Sequence, residues 1–109
     1  MEWIELTSKE QLDLIKERSR IKPQVIFKHS TRCSISGVAK SRLERGDAPP
    51  GAEFYFLDLI RHRSVSDLVA EEFSVYHESP QVLVIRNGEC VYDESHSGIN
   101  MNDIAEQAV

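Results

Sequence analysis

Nowhere do these 109 residues string together more than a handful of apolar side chains, which excludes a helix able to cross a bilayer. Only two cysteines occur, Cys33 and Cys90, too few for a disulfide scaffold. The opening Met1-Glu2-Trp3-Ile4-Glu5 has no charged-then-apolar leader pattern, so the expected setting is reducing and cytoplasmic. Basic excess is also missing. Thirteen Lys and Arg stand against eighteen Asp and Glu, for a net charge of −5 spread along the whole chain. No basic block or basic-aromatic stripe appears, so nucleic acid and membrane are not expected partners. His29, His62, His77 and His96 fall at no metal-ligand spacing with either cysteine, and each alone reads as a surface or satisfied loop histidine. There is no glycine-rich phosphate loop, no internal repeat and no low-complexity segment. With 40% hydrophobic and 28% charged residues, the chain is expected to form one domain over 1–109, large enough to bury a core.

Local signals order that domain. Thr7 and Glu10 are spaced as a capping box for a first helix that carries Leu12 and Ile15 inward and ends before Pro23. Trp3, Ile4 and Leu6 form a short lead-in, compatible with extended backbone. A strand is expected over Gln24–His29 and a helix over Ser34–Arg45, with Ile35, Val38, Ala39 and Leu43 as its apolar stripe and Gly46 as its stop. The nearly continuous apolar run 53–59 reads as a central strand. Ser64, with Asp67 as capping partner, is expected to open a helix holding Val65, Leu68, Val69 and Phe73. Two more strands, 81–86 and 89–93, are joined by Asn87-Gly88, a hairpin signal because both turn positions need positive φ. Asn100 caps a last helix carrying Met101, Ile104, Ala105 and Ala108. A strand–helix–strand unit followed by a hairpin predicts an α/β fold of thioredoxin type: a central mixed four-stranded sheet flanked by helices on both faces.

Chemistry concentrates at Cys33, where a β-leaning run meets a polar turn and a helix begins. A thiol in a first helical turn faces unpaired N–H groups and the positive end of the dipole, which favour the reactive thiolate. The alternative, a small core hydrophobe, fits poorly with its polar neighbours Ser30, Thr31, Arg32, Ser34 and Ser36. Arg32 either stabilises the thiolate or points to solvent. Ser36 stands where a dithiol protein has its second cysteine; its hydroxyl either donates to the thiolate or satisfies a backbone N–H. Cys90, in the hairpin, reads as a structural thiol, with a distant resolving role left open. His77, three residues before Pro80, is the histidine expected closest to the thiol.

The stretch Phe27-Lys28-His29-Ser30-Thr31-Arg32-Cys33-Ser34-Ile35-Ser36, with Ser79-Pro80-Gln81-Val82 and Asn87-Gly88, resembles the YtxJ-type, monothiol bacilliredoxin-like proteins of thioredoxin fold. These are associated with bacillithiol, the low-molecular-weight thiol of low-GC Gram-positive bacteria. The resemblance implies that Cys33 is the attacking thiol and that Pro80 is a cis-proline facing it. Thr31, Arg32 and Ser34 would line the cleft, Ser79 would pair its backbone with a substrate, and Ser97-Gly98 would contact the small thiol. It also implies a monothiol thiol–disulfide oxidoreductase that removes the small thiol from S-thiolated client proteins, with bacillithiol as co-substrate and no held cofactor or metal. Some relatives have proline after the cysteine where this chain has Ser34. A non-catalytic binding or adaptor module and a monothiol iron–sulfur or metal carrier are the alternatives.

Overall fold

Val25, Ile26 and Phe27 lie in the strand most removed from solvent, and the rest of the architecture follows from burying both of its faces. The computed structural model describes residues 1–108. In chain order the elements are β1 (Trp3–Glu5), α1 (Lys9–Arg18), β2 (Gln24–His29), α2 (Ser34–Arg45), β3 (Glu53–Asp58), α3 (Arg63–Glu72), β4 (Gln81–Arg86), β5 (Glu89–Ser95), a 3-10 turn (His96–Gly98) and α4 (Met101–Gln107). The sheet order is β1-β3-β2-β4-β5, with β1, β3 and β2 parallel and β4 and β5 antiparallel.

The sheet therefore has five strands where the sequence pattern predicts four. Strand β1 is only three residues long, too short for its periodicity to register. Its partner is β3, with Trp3 opposite Phe54, and Leu6 N–H then donates to Phe56 O at 2.9 Å. The Trp3 ring stacks on Phe27 (centroids 5.6 Å apart) and meets Phe54 and Phe56 edge-on. Strand β5 also runs two residues further than expected, so that Ser95 pairs with Gln81.

Alternation along the strands divides the core. Ile26, Leu57, Leu83 and Ile85 pack under α1 and α3, against Leu12, Ile15, Val65 and Val69. Val25, Phe27, Val82 and Val84 pack on the other face, against Ala39, Leu43, Met101 and Ile104 of α2 and α4. The hairpin turn has Asn87 at φ 52° and Gly88 at φ 77°, as Asn-Gly requires.

Three helix expectations need correction. The cap of α1 is Ser8, with Gln11 as its partner, one residue on from Thr7 and Glu10. Gln11 wins because an amide both accepts and donates: its Oε1 takes Thr7 N–H (2.7 Å) and Ser8 N–H (3.2 Å), while its Nε2 donates to Glu5 O (2.7 Å). Helix α3 begins at Arg63 without a side-chain cap, so Ser64 lies inside it. Asp58 does the turning instead, its Oδ1 accepting from Ile60 and Arg61 N–H. In α2 the buried positions are Ser36, Ala39 and Leu43, whereas Ile35 and Val38 are 53% and 55% exposed. The inward face is rotated by one residue because a serine hydroxyl finds buried partners there.

Candidate functional site

Strand order brings the site together. Lys28 of β2 lies opposite Gln81 of β4, which lies opposite Ser95 of β5. The chain leaves β2 toward Cys33, enters β4 from Ser79-Pro80 and leaves β5 into His96-Ser97-Gly98, so all three segments share one end of the sheet. Ser79–Pro80 is cis, as the family resemblance implies, and His96 N–H donates to Pro80 O at 3.1 Å.

Cys33 is the N-cap residue of α2, half-buried, with extended backbone (φ −116°, ψ 117°) and a side chain that makes no capping hydrogen bond. The loop before it is a closed turn. Cys33 N–H donates to Ser30 O at 3.2 Å, and Arg32 N–H donates to Ser30 Oγ at 3.3 Å. Thr31, Arg32 and Ser34 are exposed around the cysteine.

Beneath the loop is a polar anchor that sequence reasoning resolves only partly. Ser36, fully buried, accepts Ser30 N–H at 3.0 Å and lies 2.7 Å from His29 Nδ1, a contact using one hydrogen from either group. Of the two roles expected for Ser36, satisfying a backbone N–H is the one its contacts fulfil, and the N–H belongs to the Cys33 loop. His29 is not a surface histidine. It is 8% exposed, stands between the Phe27 and Phe56 rings, and has its pKa lowered by burial first and then by the Lys40 cation. The available signal was positional: in a strand with Phe27 facing inward on the α2 side, period two puts His29 on that same face.

The opposite wall is formed by residues 78–80 and 96–98. Ser79 Oγ is buried and has no hydrogen-bond partner among the described residues. His96, at φ 56°, lies 3.5 Å through Nε2 from Glu78 Oε1. Arg42 Nη1 donates to Ser97 O (3.3 Å) and Ile99 O (3.2 Å), tying the turn to α2. A cavity of about 170 Å³ opens between Ser34, Ile35, Val38, Ala39, Arg42, His96 and Ser97. The exposed apolar residues of α2 thus line the cleft. At Gly98 a Cβ would come within 2.6 Å of the Glu94 carboxyl, so a side chain there would displace that carboxyl. The histidine at the cleft is His96; His77 instead contacts Lys28 and Ser66 on the α3 face.

Cys90 occupies the far end. It pairs with Ile85, whose partner on β2 is Gln24, the full length of β2 away from the Cys33 loop. At about 3.3 Å per residue that length is roughly 17 Å, beyond any disulfide between ordered cysteines. Its thiol donates to Tyr92 O at 3.3 Å, and burial pushes it up to about 11. No cluster of three or more His, Cys, Asp or Glu suited to a metal ion exists among the described residues, nor any helix long and apolar enough to cross a membrane.

Known proteins share this fold. A solved protein described by its thioredoxin fold is 31% identical, covering 95% of this chain and 91% of its own, with a TM-score of 0.80. The thioredoxin of Malassezia sympodialis superposes with a TM-score of 0.79 at 16% identity, covering 99% of this chain and 92% of its own. A Schistosoma mansoni thioredoxin pre-protein gives 0.69 at 23%, covering all of both chains. These last two show the fold alone. The family described as monothiol bacilliredoxin BrxC matches residues 4–104, a span that holds the Cys33 loop, the 78–80 wall and the 96–98 turn. The chain belongs to the monothiol bacilliredoxin family, and its role is in thiol–disulfide redox chemistry.

Proposed function

We propose that this protein is a monothiol oxidoreductase that strips a small thiol, bacillithiol or a close chemical equivalent, from mixed disulfides on client proteins. The observation that carries this reading is the distribution of sulfur: one half-buried thiol at a helix start, a hydroxyl (Ser36) three residues on, and the other thiol at the far end of the sheet.

Ionised Cys33 Sγ attacks the small-thiol sulfur of the client disulfide. The S–S bond between the small thiol and the client cysteine breaks, the client leaves as a thiolate that takes up a proton, and Cys33 becomes disulfide-bonded to the small thiol. A second small-thiol molecule, as thiolate, attacks the small-thiol sulfur of that bond. It leaves as the symmetric small-thiol disulfide and returns Cys33 to its starting state. Overall, one mixed disulfide and one free small thiol give one client thiol and one symmetric small-thiol disulfide, so one S–S bond is exchanged for another and no outside electrons are needed. Without a second thiol in reach, release depends on the external thiol. No bound cofactor takes part, and the small thiol serves as co-substrate in a reducing cytoplasm. The apolar cavity floor of Ile35 and Val38 beside Ser34 supports this reading as a surface for the carbon skeleton of the small thiol. Thr31, Arg32 and Ser34 border the attacking sulfur, and Ser97 and Gly98 border the small thiol.

Intact-protein mass spectrometry with peptide mapping tests this. Reduced protein is exposed separately to oxidised bacillithiol and oxidised glutathione. One adduct confined to Cys33, removed by more of the same thiol, is the expected result, with bacillithiol preferred. An absent adduct at neutral pH sinks the reading in favour of a non-catalytic adaptor. A coloured protein after anaerobic purification sinks it in favour of a cluster carrier.

A further inference from the structure

Lys28 is buried to 0% exposure, yet nothing in the chemistry above uses it. It precedes His29 on β2 and so faces the opposite side of the sheet, under α3. Its Nζ donates to Ser66 O at 3.1 Å and lies 3.2 Å from His77 Nδ1; Ser66 Oγ lies 3.4 Å from the same ring nitrogen. His77 is exposed and sits in the segment between α3 and β4, three residues before Pro80. Lys28 is also the register partner of Gln81, the first residue of β4. One buried cation therefore touches the base of the wall opposite Cys33.

Burying an ammonium opposes folding, since hydrogen bonds in the interior only partly replace its hydration. Here burial lowers the Lys28 pKa to about 8, with Asp67 acting against the shift. An apolar side chain of similar length would fill the site at less cost. A group retained against stability calls for another explanation, and its contact supplies one.

We propose that Lys28 is a positioning residue: its buried ammonium, seated on Ser66 O, donates to His77 Nδ1 and so clamps residues 77–80 in the position from which they engage a client beside Cys33. This rests on the oxidoreductase function proposed above and adds a group that acts on client binding through His77 without touching the reacting sulfurs.

The clamp has a pH window. His77 is held below the usual histidine pKa by burial first, then by Lys28 and by Arg63 of α3, against Asp67 of α3 and Glu78 of its own segment. At neutral pH its Nδ1 is free to accept while Lys28 is charged. Acid places a proton on His77 and sets two cations against each other. Above about 8, Lys28 loses the charge that strengthens the bond. Client binding is tightest between those limits.

The test is steady-state kinetics of small-thiol release from an S-thiolated client protein, run alongside thermal melting and Cys33 adduct formation. Lys28→Met should raise the client KM about tenfold, the scale of one lost charge-assisted hydrogen bond, with kcat nearly unchanged. Its melting temperature should be equal to or above that of the parent, because a buried charge has become a methionine. His77→Leu, at an exposed position, should raise KM alike and decides the matter if Lys28→Met fails to fold. His77→Asn keeps an acceptor at the Nδ1 position and should restore KM while flattening its rise in acid. An unchanged KM in Lys28→Met or His77→Leu overturns the clamp, as does a joint fall of kcat and melting temperature in both. Failure of the parent protein to form the adduct or release the thiol would instead overturn the proposed function.

Discussion

The two ends of the sheet each hold a cysteine, and almost everything else about them differs. At the hairpin end, polar groups lock backbone. Ser19 O and Oγ accept from Asn87 and Gly88 N–H at 2.9 and 2.8 Å, and Arg18 grips Glu53 with two contacts of 2.6 Å. Cys90 is half-buried against the core there. At the other end, Lys28, His29, Ser30, Ser36 and Gln81 place polar side chains in buried positions, where each needs a partner to offset its lost hydration. Consecutive residues of β2 send their polar groups to opposite faces: His29 reaches the Cys33 loop through Ser36, and Lys28 reaches the facing wall through His77. One end is built to stay folded. The other gives buried positions to polar contacts that tie the Cys33 loop and the segment before β4 to adjacent residues of β2.

Exchanging the cysteines' chemistry is the strongest way to break this contrast. Cys33→Ser should abolish release of the small thiol, by at least about a thousandfold, since a hydroxyl is a far poorer nucleophile than a thiolate. Cys90→Ser should leave turnover essentially at the parent level. Comparable losses from both would erase the distinction. Next in size is Ser36→Ala, which strands Ser30 N–H and His29 Nδ1 in the interior. Chemical denaturation should show a loss of about 1–3 kcal/mol, accompanied by slower turnover as the Cys33 loop loosens.

A pH titration of stability sharpens the same comparison. The folded-state pKa of His29 lies below its unfolded value, so below about 6.5 the unfolded chain takes up a proton that the fold refuses. Stability is fully present above that pH and falls as pH drops toward the folded value. His29→Asn should flatten this part of the curve in denaturant melts, and an unchanged slope would remove His29 as its source. At the hairpin end, Gly88→Ala should cost about 1 kcal/mol, because φ 77° strains an L side chain although a Cβ would meet no neighbour. Turnover should not change.

Much of this was legible in the sequence. The strand at 24–29, the Asn87-Gly88 hairpin and the cysteine opening α2 all carry strong local signals, and the order of elements confines the topology. What escaped depends on contacts distant in sequence. Strand β1 shows no period over three residues; it exists because Trp3 finds the Phe27, Phe54 and Phe56 rings. The apolar stripe of α2 looked like Ile35 and Val38 because hydropathy ranks Ser36 outside, and only His29 and Ser30 make a buried serine favourable. Likewise His77 was expected beside the thiol by its nearness to Pro80, but Lys28 holds it on the other face.

Trp3 is the chain's single tryptophan. Its indole donates to Glu44 of α2 at 2.8 Å, and its ring packs on the same Phe27 and Phe56 rings that enclose His29. The edge strand thus equips the molecule with an intrinsic optical gauge. Fluorescence from one fluorophore, free of labels and of contributions from any second indole, reports the packing of the Phe27 and Phe56 rings around His29.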